Sequence, residues 1–139
     1  MAARGLEGID ETVQRTYTWI NEITEDLGSD RHNGYKVLRA VLHALRDRLS
    51  VDESAQFAAQ LPMLVRGIYY EGWDPRHDRK PGRDAERFLL QVGREANLDR
   101  ADTEWAIQSV SRVLAKHVSS GEWSEVLAEL PRPVRELLS

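Results

Sequence analysis

SVDESAQFAAQLP fills residues 50–62, and 69 residues further on the chain reads SSGEWSEVLAELP, residues 119–131. Both phrases open on S-x-x-E and close on Leu-Pro. Ser50 with Glu53, and Ser119 with Glu122, have the spacing of a capping box. In that motif the serine oxygen accepts from the N3 backbone N–H, and the glutamate reaches back to the N–H of the cap itself. Each phrase therefore predicts a short helix, over 51–60 and 120–129. The residue before a proline avoids the α region, so the chain should bend at Leu61 and Leu130. Pro62 and Pro131 then suit the first turn of another helix, where a missing N–H costs nothing.

Held at the offset of 69 residues, the rest of the chain falls into the same register. Asp30 meets Asp99, Arg31 meets Arg100, Val41 meets Val110, Leu45 meets Leu114 and Arg66 meets Arg135. Similar residues fill the gaps: Ile20 with Leu89, Ile23 with Val92, Leu38 with Ile107, Leu49 with Val118. Repeated matches at cap and core positions read as an internal duplication. The copies span about residues 13–73 and 84–138, with a linker over 74–83.

Each copy parses into four helices. The first runs from about Thr12 to Leu27, with Val13, Tyr17, Ile20 and Ile23 at helical spacing and Gly28 placed for a left-handed cap. Its counterpart runs from Asp84 to Ala96, with Asn97 as the cap. Asp30 and Asp99 are the N-caps of the second helices. Leu38, Val41, Leu42, Leu45 and Leu49, and in the other copy Ile107, Val110, Leu114 and Val118, give those helices a core stripe. Helix four holds Leu64, Val65, Ile68 and Tyr69 in one copy, and Val134, Leu137 and Leu138 in the other. No period-2 run bounded by turn residues occurs. The expected fold is all-α, a helical bundle of two tandem four-helix repeats in one domain over 1–139. The repeats should pack about a pseudo-twofold axis, because about sixty residues alone make a marginal core.

Composition narrows the function classes. The chain has 139 residues, 41% hydrophobic and 30% charged, which suits a globular domain. A net charge of −4 offers no general attraction to nucleic acid or an anionic membrane. Cysteine is absent, so there is no disulfide or thiolate chemistry. No stretch approaches the roughly 18 apolar residues of a spanning helix. MAARGLEGIDE lacks the apolar run of a signal peptide, and a cytoplasmic location is expected.

Function is best sought where the copies differ. The first ends GIYYEGWDPRHDRKPGRD, residues 67–84, while the second stops at RELLS. Tyr69, Tyr70 and Trp73 read as a packed contact between the halves or as an aromatic partner surface, where such residues serve as anchors. Arg76, His77, Arg79, Lys80 and Arg83 make the linker basic, yet Asp74, Asp78 and Asp84 and the overall charge argue against nucleic acid. His32, His43, His77 and His117 are scattered, and none recurs at the offset. They make no set of converging ligands, so neither a metal nor a cofactor is expected. His43 and Asp47 share a helix face. Arg66 and Arg135 read as ion pairs in each fourth-helix region, with an anion grip as the alternative. Glu53 and Glu122 form a symmetric carboxylate pair that capping explains. The G-x-S-x-G, Walker, G-x-G-x-x-G and H-E-x-x-H signatures are missing, and no catalytic residue is expected.

YTWINEI (17–23), LRAVLHALRDRL (38–49), AAQLPMLVRGIYYEGW (58–73) and ELP (129–131) together resemble the DUF2267 family over nearly the whole chain. The resemblance implies an all-α, duplicated fold in a bacterial cytoplasmic protein. The family carries no assigned function and no functional residues to transfer. The reading that results is a non-catalytic helical module for protein interaction or self-association, with Tyr69, Tyr70, Trp73, Arg66 and His43 as its candidate surface. The alternative is a binder of a small molecule or cofactor in a pocket between the two repeats.

Overall fold

The computed structural model describes residues 6–76 and 81–139, and among these it contains eight α-helices and no strand. The part of the linker with His77, Asp78, Arg79 and Lys80 lies outside the described residues. The helices are α1 (Glu7–Leu27), α2 (Arg31–Arg46), α3 (Val51–Ala59), α4 (Met63–Tyr70), α5 (Ala85–Ala96), α6 (Arg100–His117), α7 (Ser120–Glu129) and α8 (Arg132–Leu138).

Local chemistry sets these boundaries. Asp30, Asp84 and Asp99 each hold extended backbone and accept from the N–H three residues on. Ser50 and Ser119 do the same for α3 and α7. Gly28 (φ 63°) closes α1 and Asn97 (φ 57°) closes α5, both in the left-handed region. Pro62 and Pro131 sit one place before their expected position, as the N-caps of α4 and α8.

Two ends differ from the sequence reading. α1 starts at Glu7, five residues ahead of Thr12. Glu7 and Asp10 occupy its first turn, where carboxylates complement the helix dipole. α2 stops at Arg46 instead of continuing to Leu49. The chain there tightens to i→i−3 bonds, Arg48 N–H to Leu45 O at 3.0 Å and Leu49 N–H to Arg46 O at 3.3 Å.

α2 is the central helix, packed against α1, α4, α5 and α6, while α3 packs on α7. Its Leu38, Val41, Leu42 and Leu45 are buried together with Ile107, Val110 and Leu114 of α6. α1 and α2 pack tightly at Gly34, where a Cβ would collide with the Thr24 hydroxyl. α1 is stapled to α6 by Trp19 stacked on His117, with ring centroids 5.0 Å apart. His117 Nε2 and Lys116 Nζ lie 2.9 and 3.0 Å from the Glu22 carboxylate. Burial pushes the Glu22 carboxyl up, but its bonds to His117 and Lys116 outweigh that and hold it below its ordinary value.

The stripe read as core along α1 and α4 is not all inside. Tyr17 is 47% exposed and Leu64 is 45% exposed, and Val13 and Ile68 are half-buried. Among the described residues no other helix covers that margin.

Candidate functional site

The five residues singled out from the sequence do not share one surface. Tyr69 is wholly buried, and its hydroxyl is 2.8 Å from Ser54 Oγ. Burial raises its phenol well above the ordinary value. Tyr69 is one rung of an aromatic ladder that leads outward. Trp123 of α7 leans on Phe57 of α3 (6.2 Å), Phe57 meets Tyr69 edge-on (5.5 Å), Tyr69 meets Tyr70 (5.4 Å), and Tyr70 stacks on Trp73 (5.5 Å). Only the outer end, Tyr70 and Trp73, is half-exposed. Such T-shaped and offset contacts suit the charge distribution of the rings.

Arg66 makes no ion pair among the described residues. Its Nε donates to Ala58 O at 2.9 Å and its Nη2 to Leu61 O at 3.1 Å, tying off the C-terminal carbonyls of α3. Arg135 repeats this at α7, donating to Leu127 O at 2.8 Å and Leu130 O at 3.1 Å. The ion pairs expected of both are replaced by backbone bonds. A helix C-terminus exposes carbonyls that only a donor can satisfy, and a planar guanidinium offers several.

His43 is buried. Its Nε2 is 2.7 Å from Ile68 O and its Nδ1 is 2.8 Å from Glu95 Oε2. It does not share a ligand set with Asp47, which bonds Arg46 and Gln91. Two arginines that the sequence reading passed over complete the arrangement. Arg46 Nη1 donates to Tyr69 O and Glu71 O at 3.0 and 2.8 Å. Arg39 bridges Glu71 and Glu95 at 2.7 and 3.0 Å. One face of α2 thus holds the turn after α4 and the aromatic ladder in place, a framework for packing and not an open site.

An open groove with a mainly apolar lining lies elsewhere. Val13, Thr16, Tyr17 and Ile20 of α1, Arg31, His32 and Tyr35 of α2, and Leu64 and Ile68 of α4 enclose a groove of about 570 Å³. The apolar margin continues beyond it along α1 through Ile9 and Leu6, 55% and 70% exposed. Leu6, Ile9, Val13 and Tyr17 recur at i, i+3, i+7 and i+11, one side of a helix. Arg31 lies over the Tyr17 ring at 4.6 Å and bonds Asn21 at 3.0 Å. A sign was present in the sequence: the apolar spacing of α1 runs upstream of Thr12 through Ile9 and Leu6.

Glu53 and Glu122 also depart from expectation. The serines cap as predicted, but the glutamates do not reach back. Ser50 N–H is bonded by Glu129, and Ser119 N–H donates to Gln60 Oε1 at 3.0 Å. Gln60 and Glu129 are themselves 69 residues apart. With those donors taken across the molecule, Glu53 and Glu122 turn toward each other where α3 crosses α7. The Glu122 carboxyl is pushed up to about 8, first by burial and then by the Glu53 and Glu125 carboxyls beside it.

The sequence profile of DUF2267, described as an uncharacterized conserved protein, matches residues 16–137. An eight-helix bundle with these caps, matched over almost its whole length, belongs to the DUF2267 family. No curated protein matches the chain. No helix among the described residues is long and apolar enough to cross a membrane.

Proposed function

We propose that this chain is a non-catalytic self-association module whose docking surface is the apolar margin of α1 with the groove between α1, α2 and α4. The observation that carries the reading is the stripe Leu6, Ile9, Val13 and Tyr17, which continues into Leu64 and is not covered by the other described residues. The stripe is about 16 Å long at 1.5 Å per residue. Contiguous exposed apolar surface on a folded domain marks an interaction site.

Charge favours a second copy as the occupant. The Leu6–Ile9 end is flanked by Glu7 and Asp10, and the Tyr17 end by Arg31 and His32. Two α1 helices laid antiparallel about a twofold axis bring the acidic end of each against the basic end of the other. That is the self-complementarity an isologous dimer needs.

The same reading takes the eight helices as two copies of one four-helix unit about an approximate twofold axis. The shared cap positions support it, as do the exchanged bonds of Gln60 and Glu129. On this reading α1 is the asymmetric element: it has 21 residues where α5 has 12. The surplus is the N-terminal part, which bears Ile9 and Val13 of the stripe.

Size-exclusion chromatography with light scattering tests this directly. The wild type should run as a dimer that dissociates on dilution, and Leu64→Lys should run as a monomer. A dimer that persists in both Leu64→Lys and Ile9→Glu would place the interface elsewhere.

A further inference from the structure

Where α3 crosses α7, Glu53, Glu122 and Glu125 each bring a carboxylate oxygen within 4.8 Å of the others. Three acidic groups on a surface are ordinary. Here two further observations concern what these groups lack. Their usual partners are occupied: the cap N–H of Ser50 is bonded by Glu129 and that of Ser119 by Gln60. In addition, Glu53 is only 8% exposed, and its Oε2 has no hydrogen-bond donor; nor has the buried Oε2 of Glu122. Among the described residues no Lys, Arg or His pairs with any of the three.

A buried carboxylate without a donor is costly, and two facing each other more so. Something positive must lie between them, a proton or a cation. We propose that Glu53, Glu122 and Glu125 form a binding site for a hard divalent cation of calcium size, clamping α3 to α7. The donor set is all carboxylate oxygen, which selects Ca²⁺, Mn²⁺ or Mg²⁺ over softer metals. A Ca²⁺ ion about 2.3–2.6 Å from each oxygen spans the observed separation, whereas Mg²⁺ demands a tighter octahedron. Glu125 is exposed and Glu122 half-buried, so the ion enters from solvent and keeps water on its outer side.

Protons compete with the ion for these carboxylate oxygens, so acid opposes binding. This inference is independent of the self-association proposed above.

Calorimetric titration of the full chain with CaCl₂, and separately with MnCl₂ and MgCl₂, tests it at pH 6 and pH 8.5. The expected result is saturable binding of a single Ca²⁺ or Mn²⁺, weaker for Mg²⁺, and no tighter at pH 6 than at pH 8.5. Glu53→Gln and Glu122→Gln should abolish it. Glu125→Gln, at an exposed position that does not threaten the fold, should weaken it by about tenfold or more. No saturable binding of Ca²⁺ or Mn²⁺ at millimolar concentration and pH 8.5 would overturn the proposal and leave a proton-sharing pair. Binding that survives Glu125→Gln and Glu122→Gln alike would overturn it as well.

Discussion

At Glu122 a single side chain carries a pH dependence with a definite sign. Its carboxyl is raised in the folded chain to about 8, from an unfolded value of 4.5. The neutral form is the one the fold favours, so its contribution is complete below pH 4.5 and is lost as pH rises through about 8. Thermal unfolding in metal-free buffer should show Tm falling over that window, and Glu122→Gln should remove most of the fall. A wild-type profile that rises from pH 5 to 8, unchanged in Glu122→Gln, would contradict the assignment. Glu22 has the opposite sign. Its value is lowered, so its contribution is present above the ordinary 4.5 and lost as pH falls through the lowered value. Gly34 is a steric case. Gly34→Ala puts a methyl where the Thr24 hydroxyl lies and should cost about 1–3 kcal/mol by denaturant unfolding. Asp30→Ala removes the oxygen that accepts from Asn33 N–H and should cost about 1 kcal/mol.

Among the elements, α3 and α7 show most plainly what a sequence can and cannot disclose. Their caps, lengths and proline exits follow from Ser50, Ser119, Pro62 and Pro131, because capping and proline geometry are settled within a few residues. The destination of Glu53 and Glu122 is not settled locally. It depends on which side chains from the distant half of the chain bond the cap N–H groups, and Gln60 and Glu129 do so. The carboxylate cluster was therefore out of sight, although each of its members could be named. Tyr17 and Leu64 failed for a related reason. Helical spacing shows that a stripe is apolar, but not whether a neighbour covers it. Arg66 was recognisable as recurrent, while its carbonyl partners became clear only once α3 and α4 were joined at their observed angle. The aromatic ladder rests on Phe57, wholly buried between Tyr69 and Trp123. Phe57→Ala should cost about 3–5 kcal/mol, and a cost below about 1 kcal/mol would show that the ladder is not part of the core.

For the whole molecule, the structure divides its work between inside and outside. The buried side chains of α2 and α6 hold the bundle together, while Arg39, His43 and Arg46 fix the turn after α4 from one face of α2. Among the described residues, the N-terminal stretch of α1 with its groove keeps apolar side chains exposed. An apolar stripe with acid at one end and base at the other suits a second copy of itself. Sedimentation equilibrium over a wide range of protein concentration tests this most directly, on the wild type, on Ile9→Glu, and on Val51→Glu as a control at an exposed apolar residue of α3. A monomer–dimer equilibrium is expected for the wild type and for Val51→Glu, and monomer alone for Ile9→Glu. A wild type that stays monomeric at every concentration, or a dimer equally strong in Ile9→Glu, would contradict it.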